Sequence, residues 1–228
     1  MKIRLLSRDD VRHALSMKRA IELMQEAFIA LSQGGVQAPV RTNITHDSGT
    51  MLYKPAYMPN AKMFGMKAVT VFPDNESRGL PVTTGVMLLN NSDTGLPLAV
   101  LDAQYLTAVR TGAAAGLATR LLANSETKVA ALFGTGGQAS YQLEALLQVL
   151  TLEKVHVFSR SAVKAREFCE HHAELAGPCR LIPANSPDVL AECGVISTVT
   201  TSRTPLFEDG CLSDGVHINA LGSFTPDA

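Results

Sequence analysis

Four features of this chain are of a type and spacing that could do chemistry: one glycine-rich turn and three cationic side chains set in apolar surroundings. The turn is Gly134-Thr135-Gly136-Gly137-Gln138-Ala139, preceded by the apolar run Val129-Ala130-Ala131-Leu132-Phe133 and followed at once by a helix-like segment. A strand that ends in Gly-x-Gly-x-x-Ala and opens into a helix is the pattern of a dinucleotide-binding turn. The first glycine permits the tight turn, the second lets backbone approach a pyrophosphate, and the small third residue lets the helix pack on the strand. Free N–H groups at the helix start then face the anion. Without its context the same pattern is an ordinary glycine-rich strand–helix turn. About one strand and one helix later comes Val157-Phe158-Ser159-Arg160-Ser161. An acidic residue that would hold a ribose 2′-hydroxyl is missing there. Ser159 and Arg160 are instead what a 2′-phosphate needs, so NADP(H) is favoured over NAD(H). The other reading of Arg160 is a solvated loop residue.

Lys67 lies inside Met63-Phe64-Gly65-Met66-Lys67-Ala68-Val69-Thr70-Val71-Phe72. A lysine in the middle of such a strand either reaches a polar cavity or lies on a solvent-facing side. In a site of low dielectric it is an acid, base or imine-contacting donor near neutral pH. Arg41 follows Pro39-Val40 at the start of a strand, and Arg110 sits in Leu106-Thr107-Ala108-Val109-Arg110-Thr111-Gly112. Guanidinium groups in apolar surroundings pair with carboxylate or phosphate, in a bound ligand or in a structural salt bridge.

The elements that must position these residues fall into two halves. A short strand at 2–6 leads to a helix started by Ser7 and Asp10, a capping-box pattern with Asp in place of Glu. A second helix over 17–32 places Ile21, Met24, Phe28 and Leu31 on one face and ends at Gly34-Gly35. Strands are expected at 40–45, 50–57, 63–72, 82–89 and 97–101, separated by Pro-, Asn-, Asp- and Gly-rich turns, as an antiparallel layer with the early helices packed on it. An alanine-rich helix over 102–123, with small residues at 112–116, connects to a βαβα rhythm. That rhythm reads as strands 128–133, 154–159, 179–182, 194–199 and 216–221, with helices 137–150, 161–175 and 186–192. The fold class is therefore α/β: a Rossmann-type doubly wound parallel sheet plus an N-terminal α+β sheet domain, divided as 1–105 and 106–228.

Composition excludes several classes. With 46% hydrophobic and 18% charged residues in 228, the chain supports a sizeable core. A net charge of −1 and 5% aromatic residues give no reason to expect nucleic acid or an anionic membrane surface. No apolar run is long enough to span a bilayer and the N-terminus is not a signal peptide, so a cytoplasmic protein is expected. The four cysteines, without C-x-x-C spacing, read as reduced and mostly buried thiols. No histidine pair has metal-ligand spacing, so no metal site is expected.

The stretches Gly65-Met66-Lys67-Ala68-Val69-Thr70-Val71-Phe72-Pro73, Leu106-Thr107-Ala108-Val109-Arg110-Thr111-Gly112-Ala113-Ala114, Gly134-Thr135-Gly136-Gly137-Gln138-Ala139 and Asn219-Ala220-Leu221-Gly222-Ser223 occur in the order found in one family. In them the chain resembles the ornithine cyclodeaminase/mu-crystallin family. The resemblance covers the whole chain but not the family's whole usual length, so the chain is read as a fragment. It implies a homodimer built through the N-terminal sheet domain and a nicotinamide site in the cleft between domains. The shared chemistry is an amino acid/imine pair coupled to hydride transfer. By position, Lys67 matches the active-site lysine, and Arg41 and Arg110 match arginines near the substrate carboxylate. Thr111 and the turn residues Gly134, Thr135, Gly136, Gln138 and Ala139 match cofactor contacts, with Arg110 beside them, and Val199, Thr200 and Leu221 flank the nicotinamide. Where cyclodeaminases carry a catalytic Asp after the last strand, this chain has Gly222-Ser223-Phe224, and only Asp227 lies nearby. Hydride transfer to a small cyclic imino acid, of the pyrroline- or piperideine-2-carboxylate type, is therefore expected. Ornithine cyclodeamination with catalytic NAD is one alternative. A non-enzymatic, mu-crystallin-like binder of nucleotide and ligand is another.

Overall fold

Apolar alternation before residue 102 and apolar runs after 128 dictate two different sheets, and both are present in the computed structural model, which describes residues 2–222. By internal contacts the chain divides into two units. One comprises Met1–Ser16 and Gln25–Thr107, the other Met17–Met24 and Ala108–Ala228.

The first unit opens with β1 (Arg4–Leu6) and α1 (Arg8–Ala14). The start of α1 is the expected capping box: Asp10 N–H donates to Ser7 Oγ, and Ser7 N–H donates to Asp10 Oδ2 at 2.8 Å. The next helix, α2 (Met17–Ser32), has the bounds its periodicity predicts. A mixed sheet follows, from β2 (Thr42–His46), β3 (Gly49–Met58), β4 (Met63–Val71), β5 (Thr83–Asn91) and β6 (Pro97–Asp102). Its order is β1-β6-β5-β4-β3-β2. Strands β2 to β6 form an antiparallel meander, but β1 joins β6 parallel. The strands expected between 40 and 101 thus form the antiparallel layer predicted for them, and β1 adds a parallel edge strand that the sequence does not place in it. Two helices separate β1 from the meander, and a three-residue strand carries no pattern that reveals its direction.

In the second unit, β7 (Val129–Phe133), β8 (Lys154–Phe158), β9 (Arg180–Ala184), β10 (Val195–Val199) and β11 (His217–Leu221) form a wholly parallel sheet. The order β11-β10-β7-β8-β9 is that of a Rossmann-type fold, with reversal of winding beside β7. Successive residues of each strand point to opposite faces, so one sheet feeds two cores. Ala130, Leu132, Val155 and Val157 pack with Leu143 and Leu146 of α4 (Ala139–Val149) and Phe168 of α5 (Ala162–His171). Ala131, Phe133, Phe158 and Ile196 pack on the other side with Leu190 and Cys193. The helix expected over 161–175 is broken at His172. Its ring lies 2.8 Å from both the Phe168 carbonyl and Ser140 Oγ, and a short α6 (Ala173–Ala176) follows. Burial pushes the Cys169 thiol up to about 11 and Cys193 up to about 12, as inert core thiols.

The alanine-rich helix is α3 (Ala103–Leu122). Its small residues are explained by contact: a Cβ on Gly112 would stand 2.5 Å from the Tyr141 carbonyl oxygen of α4. Farther along, buried Thr119 accepts from Asn219 Nδ2 at 2.8 Å, and the same amide donates to Ser197 Oγ at 3.3 Å. This ties α3 to the middle of β10 and β11. Asn219→Ala leaves two buried hydroxyls without that donor and is expected to destabilise the second unit by about 1–3 kcal/mol, read as a lower urea midpoint. An unchanged midpoint would show the network to be dispensable.

Candidate active site

The glycine-rich turn joins β7 to α4. Gly134 has φ +108°, and an added Cβ would meet the Val199 carbonyl oxygen at 2.7 Å. Its glycine is required by the fold. Gly136 differs: its φ is not in the left-handed region, and an added Cβ would meet nothing within 4 Å. The protein by itself does not need a glycine there; something approaching from outside would. The Gln138 N-cap supplies no side-chain hydrogen bond to the start of α4, and its buried Oε1 has no partner among the described residues. An uncapped helix start behind an open glycine is a fitting cradle for a pyrophosphate.

Other expected cofactor residues gather at the same carboxyl edge of the parallel sheet. Ser159 Oγ lies 3.3 Å from Thr135 Oγ1 and accepts from Ser161 N–H at 3.4 Å, which links the loops after β7 and β8. Arg160 beyond it is exposed. Val199 pairs with Leu221 between β10 and β11, and the Thr200 carbonyl oxygen crowds Gly222. Arg110 and Thr111 follow on α3. Arg110 keeps an exposed surface, yet desolvation by the surrounding protein holds its guanidinium below the ordinary arginine value. Such a cation favours an anion that brings its own charge.

Lys67 and Arg41 belong to the first unit. Lys67 is half-buried in β4, and its Nζ donates to Thr107 Oγ1 of α3 at 3.0 Å. The strand supplies a rigid stem and the helix hydroxyl fixes the ammonium, so one N–H direction is set and the others are aimed by it. Arg41 is exposed just before β2. Asp227, with Ser223 and Phe224, lies outside the described residues.

Two residues here were not singled out from the chain. Thr107 stands 40 residues from its partner Lys67, a spacing that no local pattern reports. Lys54 of β3 is the direct cross-strand partner of Lys67. The tight Pro59-Asn60-Ala61 turn, with Met58 paired to Met63, sets that register, and counting outward from it reaches Lys54 and Lys67.

Fold and site together define a Rossmann-type dinucleotide-binding protein that carries a lysine-bearing mixed-sheet unit. The profile of the ornithine cyclodeaminase/mu-crystallin family matches residues 1–228, and the chain belongs to that family. It is 35% identical over 224 residues to a Delta(1)-pyrroline-2-carboxylate reductase of Bacillus cereus, covering 97% of this chain and 69% of that protein. Among solved structures it superposes on the Thermococcus litoralis Delta(1)-pyrroline-2-carboxylate reductase in complex with NADH and L-proline. The TM-score is 0.90 at 35% identity, over 96% of this chain and 69% of that one. An archaeal alanine dehydrogenase dimer with bound NAD gives a TM-score of 0.91 at 32% identity, over 97% and 68% of the two chains.

Proposed function

We propose that this protein is a nicotinamide-dependent reductase acting on the C=N bond of a small cyclic imino acid, of the pyrroline- or piperideine-2-carboxylate type. The observation that carries the reading is Lys67: an ammonium half-buried on a rigid strand and aimed by Thr107 Oγ1 at 3.0 Å. The reductases among its relatives, one of them holding NADH and L-proline, support the same chemistry. A reduced nicotinamide, when bound, supplies the hydride. Lys67 donates a proton to the imine nitrogen, and Arg41 and Arg110 hold the carboxylate. Thr111, Gly134, Thr135, Gly136, Gln138, Ala139, Val199, Thr200 and Leu221 form the dinucleotide site, with residues 106–228 as the nucleotide domain and 1–105 as the substrate and dimerisation domain.

The test is a panel of cyclic imines and ornithine with NADPH and NADH. Imine-dependent NADPH oxidation is expected. Ammonia release from ornithine without net NADH would overturn the reading in favour of cyclodeamination. Tight nucleotide binding without any turnover would mark a binder.

Ser159 and Arg160 support NADP(H) over NAD(H). Arg160→Glu is expected to lower the NADPH/NADH ratio of kcat/KM by about 10–100-fold, the worth of one charge-assisted hydrogen bond. An unchanged ratio would place the 2′-phosphate elsewhere.

A homodimer through the N-terminal sheet is supported by one sheet face on which Ile44, Phe64, Met66 and Val86 are all exposed, at 59%, 45%, 36% and 49%. Sedimentation velocity would read twice the monomer mass. No helix among the described residues is long and apolar enough to cross a membrane; a cytoplasmic address is part of the proposal, checked by fractionation.

A further inference from the structure

Gln142 of α4 is fully buried, and neither its Oε1 nor its Nε2 has a partner among the described residues. A core amide left that way costs free energy that an apolar side chain would not. Its place on the helix explains the burial. At about 100° per residue, it falls between two packed faces. One carries Ala139, Leu143 and Leu146 against the sheet; the other sets Tyr141 and Ala145 against Gly112 and Gly116 of α3. One turn earlier stands Gln138, which is half-buried. Its Oε1 is buried and unpartnered, whereas its Nε2 is not among the buried unpartnered atoms. The amide is thus set with its oxygen inward and its nitrogen outward, beside the exposed Gly136 and Gly137. The helical ladder already joins the two glutamines: Gln142 N–H donates to the Gln138 carbonyl at 3.1 Å. We propose that Gln142 is a positioning residue of the dinucleotide site. With the dinucleotide bound, Gln142 Nε2 donates to Gln138 Oε1 and keeps the N–H groups of Gln138 toward the pyrophosphate. The inference rests on reading the Gly134–Ala139 turn as the dinucleotide cradle and is independent of which imine is reduced.

The argument is one of reach and polarity. Side chains four residues apart share a helix face, and the later one leans back over the earlier. Gln142 is therefore aimed at Gln138, with a donor where Gln138 has a bare acceptor. One hydrogen bond between them satisfies two of the three unpartnered atoms at the start of α4. Polarity gives that bond its function. A side-chain amide is a donor at one end and an acceptor at the other. Turned the wrong way, Gln138 would aim a carbonyl oxygen at an anion. Nothing at the helix start fixes the choice, because the Gln138 side chain makes no capping bond to it. An internal donor fixes it, and a methionine or leucine at 142 would fill the same space without doing so.

The experiment compares the wild type with Gln142→Met, Gln138→Met and the double variant. NADPH is titrated calorimetrically into each full chain, and each is melted without nucleotide. Methionine keeps the length of the side chain and removes the amide. Gln142→Met is expected to bind NADPH about tenfold more weakly, the worth of one amide hydrogen bond. Its melting temperature should hold or rise, because the unpartnered core amide is gone. Gln138→Met should show a comparable loss of affinity. The double variant should lose no more than the weaker-binding single variant, since Gln142 acts through Gln138. Wild-type affinity in Gln142→Met, losses that add in the double variant, or a melting temperature that falls along with affinity would each overturn the proposal. The first of these, with the wild type binding NADPH, leaves the turn as the dinucleotide cradle. A wild type that binds neither NADPH nor NADH removes that reading, and this inference with it.

Discussion

Lys67→Met is expected to lower kcat for imine reduction by about 10²–10⁴-fold, the usual worth of a positioned general acid, while NADPH titrations give the wild-type affinity. The two readouts separate because the glycine-rich turn lies between β7 and α4 of the second unit, whereas Lys67 stands on β4 of the first. Methionine preserves the length of the stem and removes both the charge and the proton. Lys67→Arg distinguishes the two losses. It keeps a cation at this position but holds its proton at any working pH, because a guanidinium does not deprotonate near neutrality. Substrate binding should therefore survive in Lys67→Arg while turnover stays low. Thr107→Val, which removes the 3.0 Å contact to Nζ but leaves the lysine, should give an intermediate loss that Thr107→Ser restores. Full activity in Lys67→Met would end the proton-donor assignment.

Gly136→Ala and Gly134→Ala are expected to fail in opposite ways. At Gly136 the added methyl meets no atom of the described residues within 4 Å, and the φ is not in the left-handed region that favours glycine. Thermal stability should hold or rise slightly, since alanine restricts the unfolded chain by about 0.4–1 kcal/mol relative to glycine. NADPH affinity should fall by about 100-fold, on the order of the 2–3 kcal/mol lost when charge-assisted hydrogen bonds are disrupted, because the methyl occupies the approach of the pyrophosphate. At Gly134 the methyl meets the Val199 carbonyl oxygen at 2.7 Å, with φ at +108°. Here the fold itself should weaken, by about 1–3 kcal/mol for the strained backbone alone, with affinity lost as a consequence. The pair is read by calorimetric melting and nucleotide titration together. If Gly136→Ala bound NADPH like the wild type, the phosphate cradle would have to lie elsewhere, whatever Gly134→Ala does.

Much of this architecture was legible beforehand because its causes are local. The Ser7/Asp10 box, α2 and the strand–turn–helix at β7 and α4 each depend on residues within a few positions of one another. Their spacing in the chain is their spacing in space. The small residues of α3 could be read as a close-packed face, but not which element they meet; Tyr141 supplies that answer. The break at His172 was not legible, because it depends on Ser140, 32 residues away. The parallel β1 was not legible either, since strand direction follows from where the chain returns and not from three residues.

For the site, the chain by itself determined the inventory: a glycine-rich turn able to cradle a phosphate, a basic rather than acidic residue after β8, and a lysine in an apolar strand. Residue type carries that much, because charge, hydrogen-bonding capacity and the lack of a Cβ belong to single residues. Only the tertiary structure decided who stands beside whom. It separated Gly134, which the fold needs, from Gly136, which it does not, through the presence or absence of Val199 against each. It gave Lys67 its Thr107 and, one strand over, Lys54. Those are facts of register and packing between distant segments, and a one-residue slip in register would send every side chain of the strand to the other face.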